Sequence, residues 1–498
     1  MTAFRAAATA ALPAALLAAL IAATPALAET TLSIGTQQEP TSLDPTADAT
    51  ASIDGMLVQN VYETLTQVNE PGEVLPQLAK SWTVSPDGLV YDFALQSGVT
   101  FHDGTTFDAN DVKFSFDRAM AEGSVNPSKS IFAPIASVEV TAPDAIRITL
   151  KQKDGFFLFN IAQGDASIVA PESVDGNATK PMGTGPFMFT DWTRGDRLVL
   201  TKNAAWRDAG SVAIDRVEFR FIAEPAAATA AMLAGEIDAF PGFPAPELME
   251  QFEADPRFTV VVGSTEGEVI LAMNNSDEVL KDIGVRRAIS HALNRDAIID
   301  GAMYGRAQPI GSFFAPHHVS YVDLTGTYPH DVAKAKALLA EAGVTAPEFL
   351  LRVPPFPYAT RSAEIIQGQL ADAGMTVKIE NVEWGFWLDE VFKKKNYDLS
   401  IIAHTSPNDL GNFARGPDYF YGYDNPEFVK LWDAIKFEAD PVKRDALLKD
   451  AQRMVADQAV HGFLFQLPKL GVYAKGVTGF WNSSPVLYQP LATVAKAN

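Results

Sequence analysis

Hydrophobic and polar positions change rhythm about halfway along the chain. In the first half apolar residues alternate with polar ones over short stretches, the period-two signature of half-buried strands. Thr31-Leu32-Ser33-Ile34-Gly35 is the first, followed by a turn-rich loop from Gln37 to Pro45 and a helix expected over about 52–66. Between Trp82 and Phe101, strand-like pieces alternate with the turn Pro86-Asp87-Gly88 and, just beyond, Asp103-Gly104, which predicts a β-meander. Asp108 stands as an N-cap, with Asp111 in the first turn of the helix it opens. Strands are expected at 137–141, 145–150 and 217–221, then an alanine-rich helix over 226–234 and extended chain over 235–240.

From Ile283 onward the apolar spacing follows the helical period. It predicts helices over 285–293, 331–342, 361–373, 383–394, 426–437 and 441–457, interleaved with strands at 349–353, 375–379 and 397–402. Helix alternating with strand indicates an α/β lobe, and the strand-rich first half a mixed lobe with an inserted domain. No repeat of fixed period occurs, which argues against a solenoid or propeller.

The first 28 residues change the picture. A basic start at Arg5, an apolar run from Ala6 to Ala23 and the ending Ala26-Leu27-Ala28 describe a signal peptide over 1–28, with Glu29 as the mature start. A membrane anchor is the weaker reading, because the run is marginal for spanning and contains Thr9 and Pro13. There is no cysteine, so a lipid-modified cysteine, a disulfide, a thiolate metal site and a cysteine nucleophile are all excluded. The net charge of −22 opposes binding to a phosphate backbone, so no nucleic-acid partner is expected.

Enzyme signatures are missing. The chain carries no G-x-S-x-G, H-E-x-x-H, G-x-x-x-x-G-K-[ST] or C-x-x-C, and the neighbouring carboxylates Asp389 and Glu390 need not converge on one site. His317-His318 is the one adjacent histidine pair, and neighbours on a strand point opposite ways. Neither a metal nor a cofactor is expected.

Several motifs then occur in a recognisable order. Pro76-Gln77-Leu78-Ala79-Lys80-Ser81-Trp82, Ser85-Pro86-Asp87-Gly88, Val99-Thr100-Phe101-His102-Asp103-Gly104, Ala109-Asn110-Asp111-Val112, Gly183-Thr184-Gly185-Pro186-Phe187, the stretch Met232 to Asp238 and the stretch Val285 to Arg295 together resemble the extracellular solute-binding proteins of family 5, the peptide, opine and nickel carriers. The resemblance spans nearly the whole mature chain. It implies an α/β, bilobal periplasmic-binding-protein-like fold (type II, cluster C) in three parts: lobe I from 29–75, 185–270 and 475–498, an inserted small domain over 76–184, and lobe II over 271–474. It implies a periplasmic monomer, not an enzyme, that closes on a small polar ligand and delivers it to an ABC permease in the inner membrane. A periplasmic chaperone or a chemoreceptor partner is the alternative. Trp82, Phe101, Phe114 and Phe116 read most simply as core residues, and Gly88, Gly104 and Gly185 as turn formers.

Resemblance to the dipeptide binders further implies an arginine for the ligand carboxylate and an aspartate for its amine. Pro354-Pro355-Phe356-Pro357-Tyr358 looks like the first loop, with Phe356 in the arginine position and Tyr358 matching. An ungapped alignment back from Phe413 puts Ser406 at the aspartate position; a loop shift of one to three residues would let Asp409 serve instead. Phe and Ser cannot neutralise a zwitterion, so stacking and neutral hydrogen bonds to a modified peptide, an opine or an oligosaccharide suit such a pocket. Expected ligand contacts are therefore Phe356, Tyr358, Trp384, Trp387, His404, Ser406, Asn408 and Asp409, with Gln38 and Glu39 reaching in from the first lobe. His404 is read either as a structural hydrogen-bonding group or as a neutral donor or acceptor facing the cleft.

Overall fold

The structure is a computed structural model that describes residue 2 and residues 29–406, 409–438 and 440–497. The expected leader over 1–28 and the expected contact Asn408 lie outside the described residues. No helix among the described residues is long and apolar enough to cross a membrane.

A long mixed sheet runs through both lobes. Its second-lobe end consists of Thr376–Asn381, Glu348–Val353 and Leu399–His404, its first-lobe end of Ala239–Phe240, Thr31–Thr36, Arg216–Phe221, Arg197–Lys202 and Phe187–Thr193. Two long antiparallel strands, Phe258–Met273 and Gly462–Ala474, join the ends. Each passes through both lobes: Phe258 to Ser264 pairs with Ala474 to Pro468, and Glu268 to Leu271 with Gln466 to Gly462. The register breaks between Ser264 and Glu268. Pro468, which has no N–H to donate, sits at that break. A strand pair that loses its ladder locally can bend there, which makes this the candidate hinge.

A separate antiparallel sheet of four strands, in the order Ala79–Val84, Val90–Leu95, Ala145–Leu150 and Ile135–Ala142, packs on the helix Ala109–Met120. Asp108 caps that helix as its sequence requires: its side chain accepts from Asn110 N–H at 2.7 Å, and Asp111 accepts from Asp108 N–H at 2.8 Å. Phe101 and Phe116 are buried in this module, and Trp82 packs against its core. Glu63, itself buried, ties the module's base to the first lobe. Its carboxylate takes Arg207 at 2.5 Å, Thr184 Oγ1 at 2.9 Å and Gln77 Nε2 at 3.2 Å.

Some expectations fail locally. The helix expected over 52–66 ends at Leu57, because Gln59 takes a left-handed φ of 67° and the chain turns into a short strand at Thr66–Val68. Extended chain over 235–240 reduces to Ala239–Phe240. The helix expected over 383–394 is one α turn, Trp384–Phe386, running into a π-helical turn over Trp387–Lys393. Gly88 and Gly104 occupy positive φ as turn glycines should, whereas Gly185 is needed for close approach: it donates to Val61 O at 2.9 Å, and a Cβ there would strike the Asn60 carbonyl.

Candidate functional site

Register builds the site. His404 faces Glu268 across one pair of strands, and Glu268 faces Gln466 across the next, so the three side chains form a row on one face of the sheet. Glu268 is 4% exposed and Gln466 1%, and Gln466 Oε1 has no hydrogen-bond partner. Burying a carboxyl costs free energy unless it is neutralised or paired. Burial pushes the Glu268 carboxyl well above the usual range, and the neighbouring Glu266 and Asp409 push it further.

Asp409 opens the 3-10 turn Asp409–Arg415 beside this row. Ser406 N–H donates to its Oδ2 and Asn412 Nδ2 to its Oδ1, each at 3.0 Å. Burial nevertheless raises its pKa to about 6, with Glu266 adding to the rise. Arg415, which opposes that rise, lies over the Tyr419 ring at 4.0 Å. Glu266 lies within the hinge break; its Oε1 is 2.8 Å from His317 Nε2, although the pair lacks hydrogen-bond alignment. Among the described residues no lysine or arginine comes within 4.0 Å of Glu266, Glu268 or Asp409.

His404 sets the back wall. Its Nε2 hydrogen-bonds the Tyr421 hydroxyl at 2.8 Å, its Nδ1 lies 3.8 Å from Asp409 Oδ2, and its ring stacks near Phe420 and Phe313. Burial lowers its pKa to about 3, so it is a neutral imidazole at any working pH. His404 is thus tied into the framework through Tyr421 and lies beside Asp409.

The aromatic residues divide. Trp387 is 3% exposed, and its indole donates to Ser400 Oγ at 2.9 Å, whose hydroxyl donates to Arg352 O. Tyr358 accepts from Ala403 N–H at 3.0 Å and stacks on Phe356, which meets Trp384 edge-on. Trp384 alone of this group is open, 40% exposed and stacked on Trp387 at 5.0 Å. Ser406 is exposed and supplies its backbone N–H to Asp409. Gln38 is exposed, while Glu39 accepts from Trp192 Nε1 and Gly195 N–H within its own lobe. His317 and His318 diverge, the first toward Glu266 and the second onto Phe314, and no metal-holding group of histidines and carboxylates is found among the described residues.

Sequence reading missed Glu266, Glu268 and Gln466. The signal was there: Glu266 and Glu268 stand directly before the apolar, strand-like run Val269 to Met273, where burying charge needs a reason. Beside the cluster, a cavity of about 930 Å³ extends from Glu266 between the four-stranded sheet and the second lobe, with Trp82, Tyr91, Phe314, His318 and Arg444 in its walls.

Residues 73–426 match the model of the bacterial extracellular solute-binding proteins, family 5 Middle. The di/tripeptide-binding protein 1 of Pseudomonas aeruginosa is 28% identical over 470 residues, covering 84% of this chain and 86% of that protein. The glutathione-binding protein GsiB of Pectobacterium atrosepticum is 27% identical over 471 residues, covering 90% and 91%. Among solved structures, the ABC transporter-associated periplasmic binding protein DppA from Helicobacter pylori, in complex with peptide STSA, aligns with a TM-score of 0.77 at 26% identity over 94% of this chain and 98% of that one.

Proposed function

Because the chain belongs to the bacterial extracellular solute-binding proteins of family 5, we propose that it captures a peptide-like solute with a free ammonium group in the periplasm and delivers it, chemically unaltered, to an ABC permease. The observation that carries the ammonium is the cluster of Asp409, Glu266 and Glu268, three carboxyl groups with no lysine or arginine partner among the described residues. An ammonium entering that cluster supplies the missing positive charge and three donors, so its own desolvation is offset by the Asp409 carboxylate and the carboxyl oxygens beside it, already held in place. Names of the relatives, di/tripeptide-binding and glutathione-binding, agree with such a guest. They lend the chaperone or chemoreceptor reading no support.

This revises the balance of the sequence expectation. Ser406 is the residue the resemblance puts at the aspartate position, yet Asp409 three residues on is anchored by the Ser406 N–H and lies beside His404. Phe356 still occupies the place expected for a carboxylate-binding arginine, so a ligand whose far end is neutral or extends into the adjacent cavity fits better than a bare dipeptide. Lobe closure about the register break would exclude water and strengthen each charge-assisted bond. Calorimetry with a short peptide and its N-acetylated twin tests the reading: the free amine is expected to bind at least about tenfold more tightly. Equal affinities for the two, or tight binding of an uncharged oligosaccharide alone, would overturn it.

A further inference from the structure

A contact in the wall of the cavity that extends from Glu266 joins the two sides of the cleft. The turn Asp154 to Phe156 belongs to the four-stranded module, which Glu63 fastens to the first lobe through Arg207, Thr184 and Gln77. Its tip reaches the C-terminal end of the second-lobe helix Pro426–Phe437. Gly155 N–H donates to Lys436 O at 2.5 Å, and Phe156 stacks on Trp432 with ring centroids 5.9 Å apart and planes 23° from parallel. Arg444, at the start of the next helix, lies over Phe156 at 5.7 Å and donates to Glu438 O at 3.0 Å.

The chemistry suits a contact that forms and breaks. The last carbonyls of a helix have no partner inside it, so Lys436 O accepts from Gly155 without losing an existing bond, and water satisfies both groups when they part. Phe156 and Trp432 are both only partly buried, so separation exposes modest apolar area. Approach is close enough to select the residue: a Cβ on Gly155 would lie 2.6 Å from Glu438 O and 3.0 Å from Arg444 Nη1.

We infer that Gly155, Phe156 and Trp432 form a catch between the four-stranded module and the second lobe that holds the cleft shut and so sets ligand affinity through the closed population. They are positioning residues: the hinge permits closure, and the catch determines how much of the population is closed. The inference rests on the two-lobe capture reading above.

The chain has no cysteine, so Glu139→Cys and Lys336→Cys, both at exposed positions on opposite sides of the cleft, accept a fluorophore or spin-label pair without background. The label distance distribution is measured for the parent, Gly155→Ala, Trp432→Phe and Trp432→Ala, alone and with trialanine as probe. Gly155→Ala and Trp432→Ala should reduce the closed population about threefold to tenfold, and Trp432→Phe should restore most of it. Melting temperatures identify any variant whose fold is damaged; Gly155→Ala removes no packing and decides the matter if Trp432→Ala is unstable. If the parent responds to trialanine and Gly155→Ala matches it throughout, the catch is refuted and the capture reading stands. If the parent ignores the peptide while Gly155→Ala still shifts the unliganded distribution, the ligand reading falls and the catch stands. If neither responds, both are wrong.

Discussion

Odd- and even-numbered residues of the strand Phe258–Met273 go to opposite sides of one sheet. Val269, Leu271 and Met273 enter an aliphatic core with Leu351, Ile366 and Leu370, whereas Ile270 and Ala272 enter an aromatic layer with Phe313, Phe413, Phe420 and Trp387, and Glu268 shares their side of the sheet. The first of these cores is continuous and mostly aliphatic. The aromatic side carries the row His404, Glu268 and Gln466 together with the Asp409 turn. Rings give a rigid wall with polar edges, which lets buried hydrogen-bonding groups such as the Tyr421 hydroxyl and the Trp387 indole be satisfied inside it. One sheet thus carries an aliphatic-rich core on one parity of residues and, on the other, an aromatic core that also holds the carboxyl row proposed for recognition.

The sharpest way to break that comparison is on its boundary. Trp387→Ala should cost about 3–5 kcal/mol of stability, since the ring is buried and bonded to Ser400; a nearly unchanged melt with weaker binding, the outcome the sequence alone suggested, would return this residue to the ligand. Leu271→Ala on the aliphatic side should cost about 2–5 kcal/mol and leave affinity for a free-amine peptide as it was. Asp409→Asn should do the reverse, lowering that affinity about thirtyfold or more in a titration while the melt hardly moves.

The acid side of the pH profile sharpens it further. Asp409 titrates at about 6 in the fold against 3.8 in the open chain, so the folded empty protein holds this proton over a window where the unfolded chain has lost it. Its contribution to stability is present below that window and is lost as pH rises through it. An ammonium guest needs the carboxylate, so affinity should fall about tenfold per pH unit below about 6 and level off above it. Asp409→Asn should flatten that slope. Glu268→Gln is the smallest expected change, within about twofold in affinity, because burial favours the neutral carboxyl and the amide has its shape; a large loss would show that Glu268 binds as an anion.

Much of the architecture was legible because its signals are local. Period-two runs, Asp108 with Asp111, and the helices of the second half all depend on neighbours in the chain. Phe258–Met273 and Gly462–Ala474 were not recognised as strands, since glutamates, glycines and Pro468 interrupt their patterns at the places where the ladder breaks. The same gap hid the site: Glu266, Glu268 and Gln466 become meaningful only once register sets them beside His404 and Asp409. The burial of Trp387 was hidden for a related reason, because spacing on a helix predicts a shared face with Trp384 but not which ring lies beneath the other.

Between Ser264 and Glu268 the two connecting strands lack matched rungs. Amides in that gap should therefore exchange with deuterium quickly while those of Val269 to Leu271 stay protected, marking the few peptide units that carry the whole swing of the molecule. Glu266 is one of those units, so a bend there would move one carboxyl group of the cluster relative to the other two, and the proposed capture and release would share that bend.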